Sequence, residues 1–277
     1  MKNILFALSL VFFAFPAFAA DKGKESAYDR VMKTQTIRCG YGTYAPWIYQ
    51  DLKTEKMAGP NVEIMEAVAR QLGFKLEWPE ETGWPNLPTA LVTGRVDVAC
   101  SSLWMDPARG KLVAYTRPVH YNPVYAYARA DDARFSGKAE SIDKPGIRIV
   151  VQDGDVTAEL ARRNFPQAQF VTLAQTASSS EMYMNVTTGK ADIAFGEDVS
   201  VSTFNKAQKT KLKKIPLPRP VVIYGSSLAV GIHETALKEM LDTTVAYLLN
   251  TGKIDEIMTR FMKDYPEAVI LIKKPYE

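Results

Sequence analysis

Histidine and cysteine are nearly missing from this chain of 277 residues, which holds two of each. His120 and His233 have no ligand spacing around them, so neither a zinc site nor a Ser-His-Asp arrangement has support in the sequence. The run Gly40-Tyr41-Gly42 lacks the third glycine of a dinucleotide-binding loop, Ala45 standing in its place, and no cofactor is implied. An excess of either charge is lacking too: 34 Lys and Arg face 31 Asp and Glu, interspersed rather than blocked, for a net charge of +3. That balance offers no basic face to nucleic acid. Beyond residue 20 no stretch is apolar enough to cross a bilayer, so a soluble mature protein is expected.

What the N-terminus does hold is one Lys, an apolar run over residues 4–15 and the small-residue pattern Ala17-Phe18-Ala19 before Ala20. Such a run is shorter than the roughly 20 residues of a membrane span and reads as a cleavable secretory signal peptide over residues 1–20. No Cys stands at the cleavage point to take a lipid. A Gram-negative periplasm is the expected address, and about 257 residues remain, enough for two lobes of ordinary domain size. In an oxidising compartment the even pair Cys39 and Cys100 invites a disulfide; two buried free thiols are the alternative.

One heptapeptide occurs twice. Thr93-Gly94-Arg95-Val96-Asp97-Val98-Ala99 returns as Thr188-Gly189-Lys190-Ala191-Asp192-Ile193-Ala194, each copy after a helix-like apolar run and before a β-rich strand. A third match, Thr251-Gly252-Lys253-Ile254-Asp255, is followed by helical periodicity and is read as chance. The first half reads as strand 37–41, helix 62–72 capped by Asn61 and ended at Gly73, strand 74–78, helix 86–92 and strand 96–100. The second reads as strand 147–151, helix 157–163, strand 170–173, helix 179–187 and strand 193–195.

Alternating elements of this length predict two parallel, doubly wound α/β sheets. Extended stretches at 121–129 and 221–232 each cross between the halves in this reading, and helices 234–250 and 253–264 fold back on the first. The expected lobes are therefore 36–124 with 226–277, and 125–225, joined by a two-crossing hinge. Residues 21–28 are polar and predict a mobile N-terminal segment.

In open α/β sheets ligands sit beyond the carboxyl ends of the strands. That rule selects four loops, 42–47, 101–109, 152–155 and 196–198, and leaves Asp97 and Asp192 at the opposite ends of their strands as turn or capping acids. The loops offer aromatic faces (Tyr44, Trp47, Trp104), hydroxyls (Ser101, Ser102), the Arg109 guanidinium and the acids Asp106, Asp155, Glu197 and Asp198. A guanidinium fork suits a carboxylate, Glu197 suits an ammonium, and aromatic walls bury a carbon skeleton. A small zwitterionic or polar solute fits this set. Each residue also has a plainer role available: Arg109 pairing with Asp106, Asp155 capping the helix after it, Trp47 and Trp104 in the core, and Trp84 closing the Gly83-Trp84-Pro85 turn.

At these loops the chain resembles the periplasmic solute-binding proteins of polar amino-acid ABC transporters, with the type II periplasmic-binding-protein fold. Thr43-Tyr44-Ala45-Pro46-Trp47 is similar to that family's aromatic-Pro-aromatic loop, and Ser101-Ser102-Leu103-Trp104-Met105-Asp106-Pro107-Ala108-Arg109 to its segment ending in the carboxylate-binding Arg. Tyr115-Thr116-Arg117-Pro118 stands where the family has Phe-Ser-x-Pro before the hinge, and Gln152-Asp153-Gly154 matches the loop ahead of the second lobe's first helix. The resemblance implies that Arg109 grips a carboxylate, Ser101 and Ser102 offer polar contacts, Tyr44 and Trp84 sandwich the side chain, and Glu197 replaces the amino-group-binding Asp. It also implies departures. Asp155 stands where a small hydroxyl residue is usual and repels an anion unless it turns away as a cap. Trp104 fills a position that is often small or hydroxylated and Glu197 is one methylene longer; both shrink the pocket and open the way to a small or uncharged polar ligand.

Three functions follow as expectations. The first is a monomeric binding protein that closes on a small solute and presents it to the membrane permease of an ABC importer. The second is a periplasmic dehydratase using Glu197 or Asp155 as acid. The third is an accessory or sensory protein of the same fold, associated for example with a periplasmic dehydrogenase.

Overall fold

Strand β5 shows why this chain layers as it does. Val98 and Cys100 point into one core and Ala99 and Leu103 into another, all fully buried, so a strand of alternating direction needs apolar cover on both faces. In β7 the same holds: Ile149 and Val151 enter one core, Val150 the opposite one. Helices supply that cover on each side of the sheet.

The computed structural model describes residues 25–135, 137–266 and 268–274; the expected signal peptide, residues 1–20, lies outside the described residues. The first lobe opens with α1 (Ala27–Thr34), β1 (Thr36–Tyr41), a small hairpin of β2 (Tyr49–Gln50) and β3 (Met57–Ala58), α2 (Pro60–Leu72), β4 (Lys75–Glu81), α3 (Leu87–Thr93) and β5 (Val98–Trp104). The long β6 (Val113–Arg129) then leads to the second lobe: β7 (Arg148–Gln152), α4 (Val156–Asn164), β8 (Gln169–Leu173), α5 (Ser179–Thr187), β9 (Ile193–Gly196), α6 (Asp198–Ala207) and β10 (Leu212–Lys214). The return strand β11 (Val222–Gly231) is followed by α7 (Thr235–Asn250) and α8 (Lys253–Met262). No helix among the described residues is long and apolar enough to cross a membrane.

The main sheet runs β4-β1-β5-β11-β6-β9-β7-β8, with β10 also on β6. Three parallel strands form each end, and the middle is antiparallel. This corrects the expectation of two wholly parallel sheets: β11 runs back beside β6, and a returning strand pairs antiparallel. Residues 113–124 of β6 pair with β11, whereas 125–129 pair with β9 and β10, so β6 serves both lobes. The two lobes are thus doubly wound α/β units joined through a pair of crossing strands.

Further differences from the sequence reading have local causes. Helix α2 starts at Pro60, whose fixed φ and missing N–H suit the first turn, and Gly59 at φ 108° is its N-cap. A Cβ on Gly59 would lie 2.4 Å from the Trp47 carbonyl oxygen. Asn61 is therefore no cap but a buried second-position residue. Residues 27 and 28 open α1 because Glu234 accepts from their backbone N–H groups, at 2.9 and 3.3 Å. Strand β5 continues to Trp104, taking Ser101 and Ser102 out of the expected loop and into the sheet.

The two repeat acids share one role. Asp97 Oδ2 accepts from the Arg38 N–H at 2.7 Å, and Asp192 Oδ2 from the Arg148 N–H at 2.9 Å. Each carboxylate is further held by two guanidiniums, Arg30 and Arg38 for Asp97, Arg134 and Arg148 for Asp192. Those bonds hold Asp192 down at about 2 against the opposing pull of burial. The expected capping or turn hydrogen bonding is replaced by a tie between strands: each acid binds a backbone N–H of the neighbouring strand, β1 or β7, inside a buried ion-pair cluster. Cys39 and Cys100 form a disulfide between adjacent strands β1 and β5, with a Cα–Cα distance of 5.4 Å.

Candidate functional site

The carboxyl ends of β1, β5, β7 and β9 converge on a cavity of about 110 Å³ between the lobes. Its lining includes Tyr44, Trp47, Trp84, Ser101, Ser102, Trp104, Arg109, Asp155 and Glu197. All nine candidate residues therefore meet around one space.

Arg109 opens a short 3-10 turn after β5 and is partly exposed. Asp106 accepts the backbone N–H groups of Ala108 and Arg109, both at 3.2 Å. Among the described residues no carboxylate forms an ion pair with the Arg109 guanidinium. Asp155 is the N-cap of α4, accepting the Thr157 N–H at 2.8 Å, so its capping role holds while its side chain also borders the cavity.

The tryptophans differ. Trp104 stacks on Tyr224 of the returning strand, with centroids 4.7 Å apart and planes at 12°. Trp84 meets Tyr44 edge-on at 6.2 Å. Trp47 is 3% exposed, stacked on His120 at 5.4 Å and tilted against Phe261 at 4.6 Å, so its ring belongs to the core, and its Nε1 has no partner among the described residues.

Glu197 follows β9 at the N-cap position of α6 and is 2% exposed. Burial pushes its carboxyl up to about 7; nearby donors, of which the Asn122 amide is the hydrogen-bonded one, oppose that rise. Asn122 donates to Glu197 Oε1 and accepts from the Ser226 hydroxyl, a chain that links β11 and β6 to the junction of β9 and α6. Oε2 has no partner. Ser102 adopts φ 52°, a left-handed conformation uncommon for a residue with a side chain, and its hydroxyl is unpartnered.

Several lining residues escaped the sequence reading: Asn61, His120, Asn122, Tyr183 and Ser226. A signal did exist for two of them. His120, Asn122 and Val124 alternate along β6 and all face the cavity, the two-residue period of a strand. His120 is held neutral, pushed down to about 3 by burial.

Buried polar atoms without partners concentrate here: Trp47 Nε1, Asn61 Oδ1, the Ser101 and Ser102 hydroxyls, both His120 ring nitrogens and Glu197 Oε2. Folded proteins pair nearly all such atoms, so a concentration of orphans around one space marks a place built for a polar guest.

Comparison with known proteins agrees with this architecture. The chain is similar to a probable amino-acid ABC transporter-binding protein of Haemophilus influenzae, 27% identical over 79% of this chain and 81% of that one. It is also similar to the cyclohexadienyl dehydratase of Pseudomonas aeruginosa, 28% identical over 67% of this chain and 68% of the enzyme. Among solved structures, an ancestral amino acid-binding protein described as a precursor of cyclohexadienyl dehydratase superposes with a TM-score of 0.71 at 23% identity, over 85% of this chain and 98% of that one. The family profile of the bacterial extracellular solute-binding proteins, family 3, matches residues 37–264. With two lobes, two crossing strands and a polar cavity between them, the chain belongs to that family.

Proposed function

We propose that the protein captures a small amino-acid-like zwitterion between its lobes and delivers it to the permease of an ABC importer, working as a monomer in the periplasm after removal of its signal peptide. The carrying observation is the set of orphaned polar atoms around the cavity, flanked by a guanidinium at Arg109 that no carboxylate among the described residues pairs with and by a buried carboxyl at Glu197. Arg109 receives the ligand carboxylate as a two-pronged donor. Glu197 gives up its proton and receives the ammonium, whose charge replaces the solvent that burial removed. Tyr44, Trp84 and Trp104 wall the carbon skeleton, Ser101 and Ser102 add hydroxyl contacts, and Trp47 offers its indole N–H. Asp155, engaged as a cap, repels a second anionic group on that side. The lobes, 36–124 with 226–277 and 125–225, move about the crossing strands. The name of the Haemophilus relative supports the same reading.

A dehydratase is the second reading, favoured by one observation: a carboxyl near pH 7 in its titration, buried beside the cavity, can donate a proton to a leaving hydroxyl. The Pseudomonas relative is named for such an activity. Isothermal titration with amino acids and turnover of prephenate decide between the two. Binding without turnover, abolished in Arg109→Ala, supports capture; turnover lost in Glu197→Gln makes the protein an enzyme. A folded protein that binds and converts nothing would be the accessory or sensory protein.

A further inference from the structure

Four cavity-lining side chains form a wall with unmet hydrogen-bonding capacity. Trp47, Asn61, Ser101 and His120 are each 3% exposed or less. Trp47 Nε1, Asn61 Oδ1, Ser101 Oγ and both His120 nitrogens nonetheless lack partners. These groups are tied together: the Asn61 amide donates to the Ser101 carbonyl at 3.0 Å, and His120 lies flat on Trp47 with 9° between planes. All four border the cavity.

The wall carries donors and acceptors but no charge. Trp47 donates, Asn61 Oδ1 accepts, Ser101 does either, and a neutral imidazole does one of each. An ionised side chain here would lose its hydration with no countercharge among these four residues, Glu197 being engaged by the ligand ammonium. An apolar group would leave the orphans unpaired, which a binding site tolerates poorly. A hydroxyl or a carboxamide brings a donor and an acceptor together and answers both kinds of orphan.

We propose that Trp47, Asn61, Ser101 and His120 form a specificity subsite for an uncharged hydrogen-bonding side chain, so that the ligand is a small amino acid carrying a hydroxyl or carboxamide. The assignment rests on the capture reading, in which Arg109 and Glu197 take the charged ends.

The test is isothermal titration of the mature protein with serine, asparagine and glutamine against 2-aminobutyrate, glutamate and lysine. 2-Aminobutyrate matches serine in shape with a methyl in place of the hydroxyl. Serine, asparagine or glutamine is expected to bind tightest, and serine about 100-fold or more above 2-aminobutyrate, since sites built to pair a hydroxyl reject the analogue without it. His120→Phe keeps the ring on Trp47 and removes two orphan nitrogens, and should cut that ratio to about tenfold or less. Ser101→Ala, a smaller change, should lower it as well. Equal binding of serine and 2-aminobutyrate, or tightest binding of glutamate or lysine, overturns the subsite while leaving amino-acid capture standing. Binding of none of the six by the folded protein overturns both.

Discussion

The hydroxyl of Tyr44, on the loop after β1, shares a hydrogen bond with the hydroxyl of Ser200 on α6, so the lobes touch directly across the cavity. Burial keeps the Tyr44 phenol protonated and able to donate. The same ring meets Trp84, which makes Tyr44 both a wall and a latch.

Tyr44→Phe keeps the ring and removes the latch. A neutral hydrogen bond contributes about 1 kcal/mol, or about fivefold in the ratio of closed to open molecules. Small-angle scattering of the ligand-free variant should show a larger radius of gyration than the parent. An unchanged radius would mean that other contacts hold the lobes together.

Acid and base titrations of two buried groups pull stability in opposite directions. Glu197, raised from 4.5 to about 7, adds stability that is complete below 4.5 and lost as pH rises through about 7. His120, lowered from 6.5 to about 3, adds stability that is complete above 6.5 and lost as pH falls through about 3. Between pH 4.5 and 6.5 the two slopes offset each other in the parent. Glu197→Gln should uncover the His120 slope, gaining about 3 kcal/mol relative to the parent between pH 4.5 and 8 in urea unfolding. A constant difference between the two proteins across that range would show that Glu197 titrates normally.

Asp97→Asn should destabilise the fold without touching the ligand. Its carboxylate is fully buried and holds two guanidiniums, and removing one partner of such a cluster costs about 3–5 kcal/mol. Asp192→Asn should do the same in the second lobe, where the equivalent cluster is built on Arg134 and Arg148. Denaturation midpoints should fall in both variants while affinity, measured well below the transition, stays within about twofold. A loss of affinity in the folded variants would tie the clusters to the cleft.

Reduction of the Cys39–Cys100 bond releases a loop closed over a sequence separation of 61. Chain-entropy arguments give about 4 kcal/mol for a loop of this size. The urea midpoint in dithiothreitol should drop accordingly, and Cys39→Ala with Cys100→Ala should match the reduced parent.

Much of this molecule can be read from its residues because the information is local. The duplicated heptapeptide marks the strands β5 and β9, and Gly73 and Gly94 stop their helices at φ 73° and 70°, conformations that glycine adopts freely. The rule that ligands lie beyond strand ends selected the loops of eight of the nine residues that meet at the cavity, and the family resemblance added Trp84. What escaped depends on distant partners. Helix α1 buries only Val31 and is held by Glu234 and by the Arg30 contact with Asp97, neither of which leaves a periodic trace. Asn61 looks like a cap in sequence, since Asn is a favoured one, yet Gly59 with Pro60 takes that place and frees its amide for Ser101. His120 and Asn122 sit in a strand buried on all sides, where polar residues stand out only once the topology is known.

The crossing of β6 and β11 also sets an order of events during synthesis. The first lobe's core includes Leu237, Leu241, Ile257 and Met258, so it lacks essential parts until almost the whole chain has emerged. The second lobe has its strands β7 to β10 complete by Lys214. A ribosome or export channel releasing this polypeptide from its N-terminus therefore delivers the inner lobe as the first unit able to consolidate, and the outer one closes around the ends of the chain afterwards.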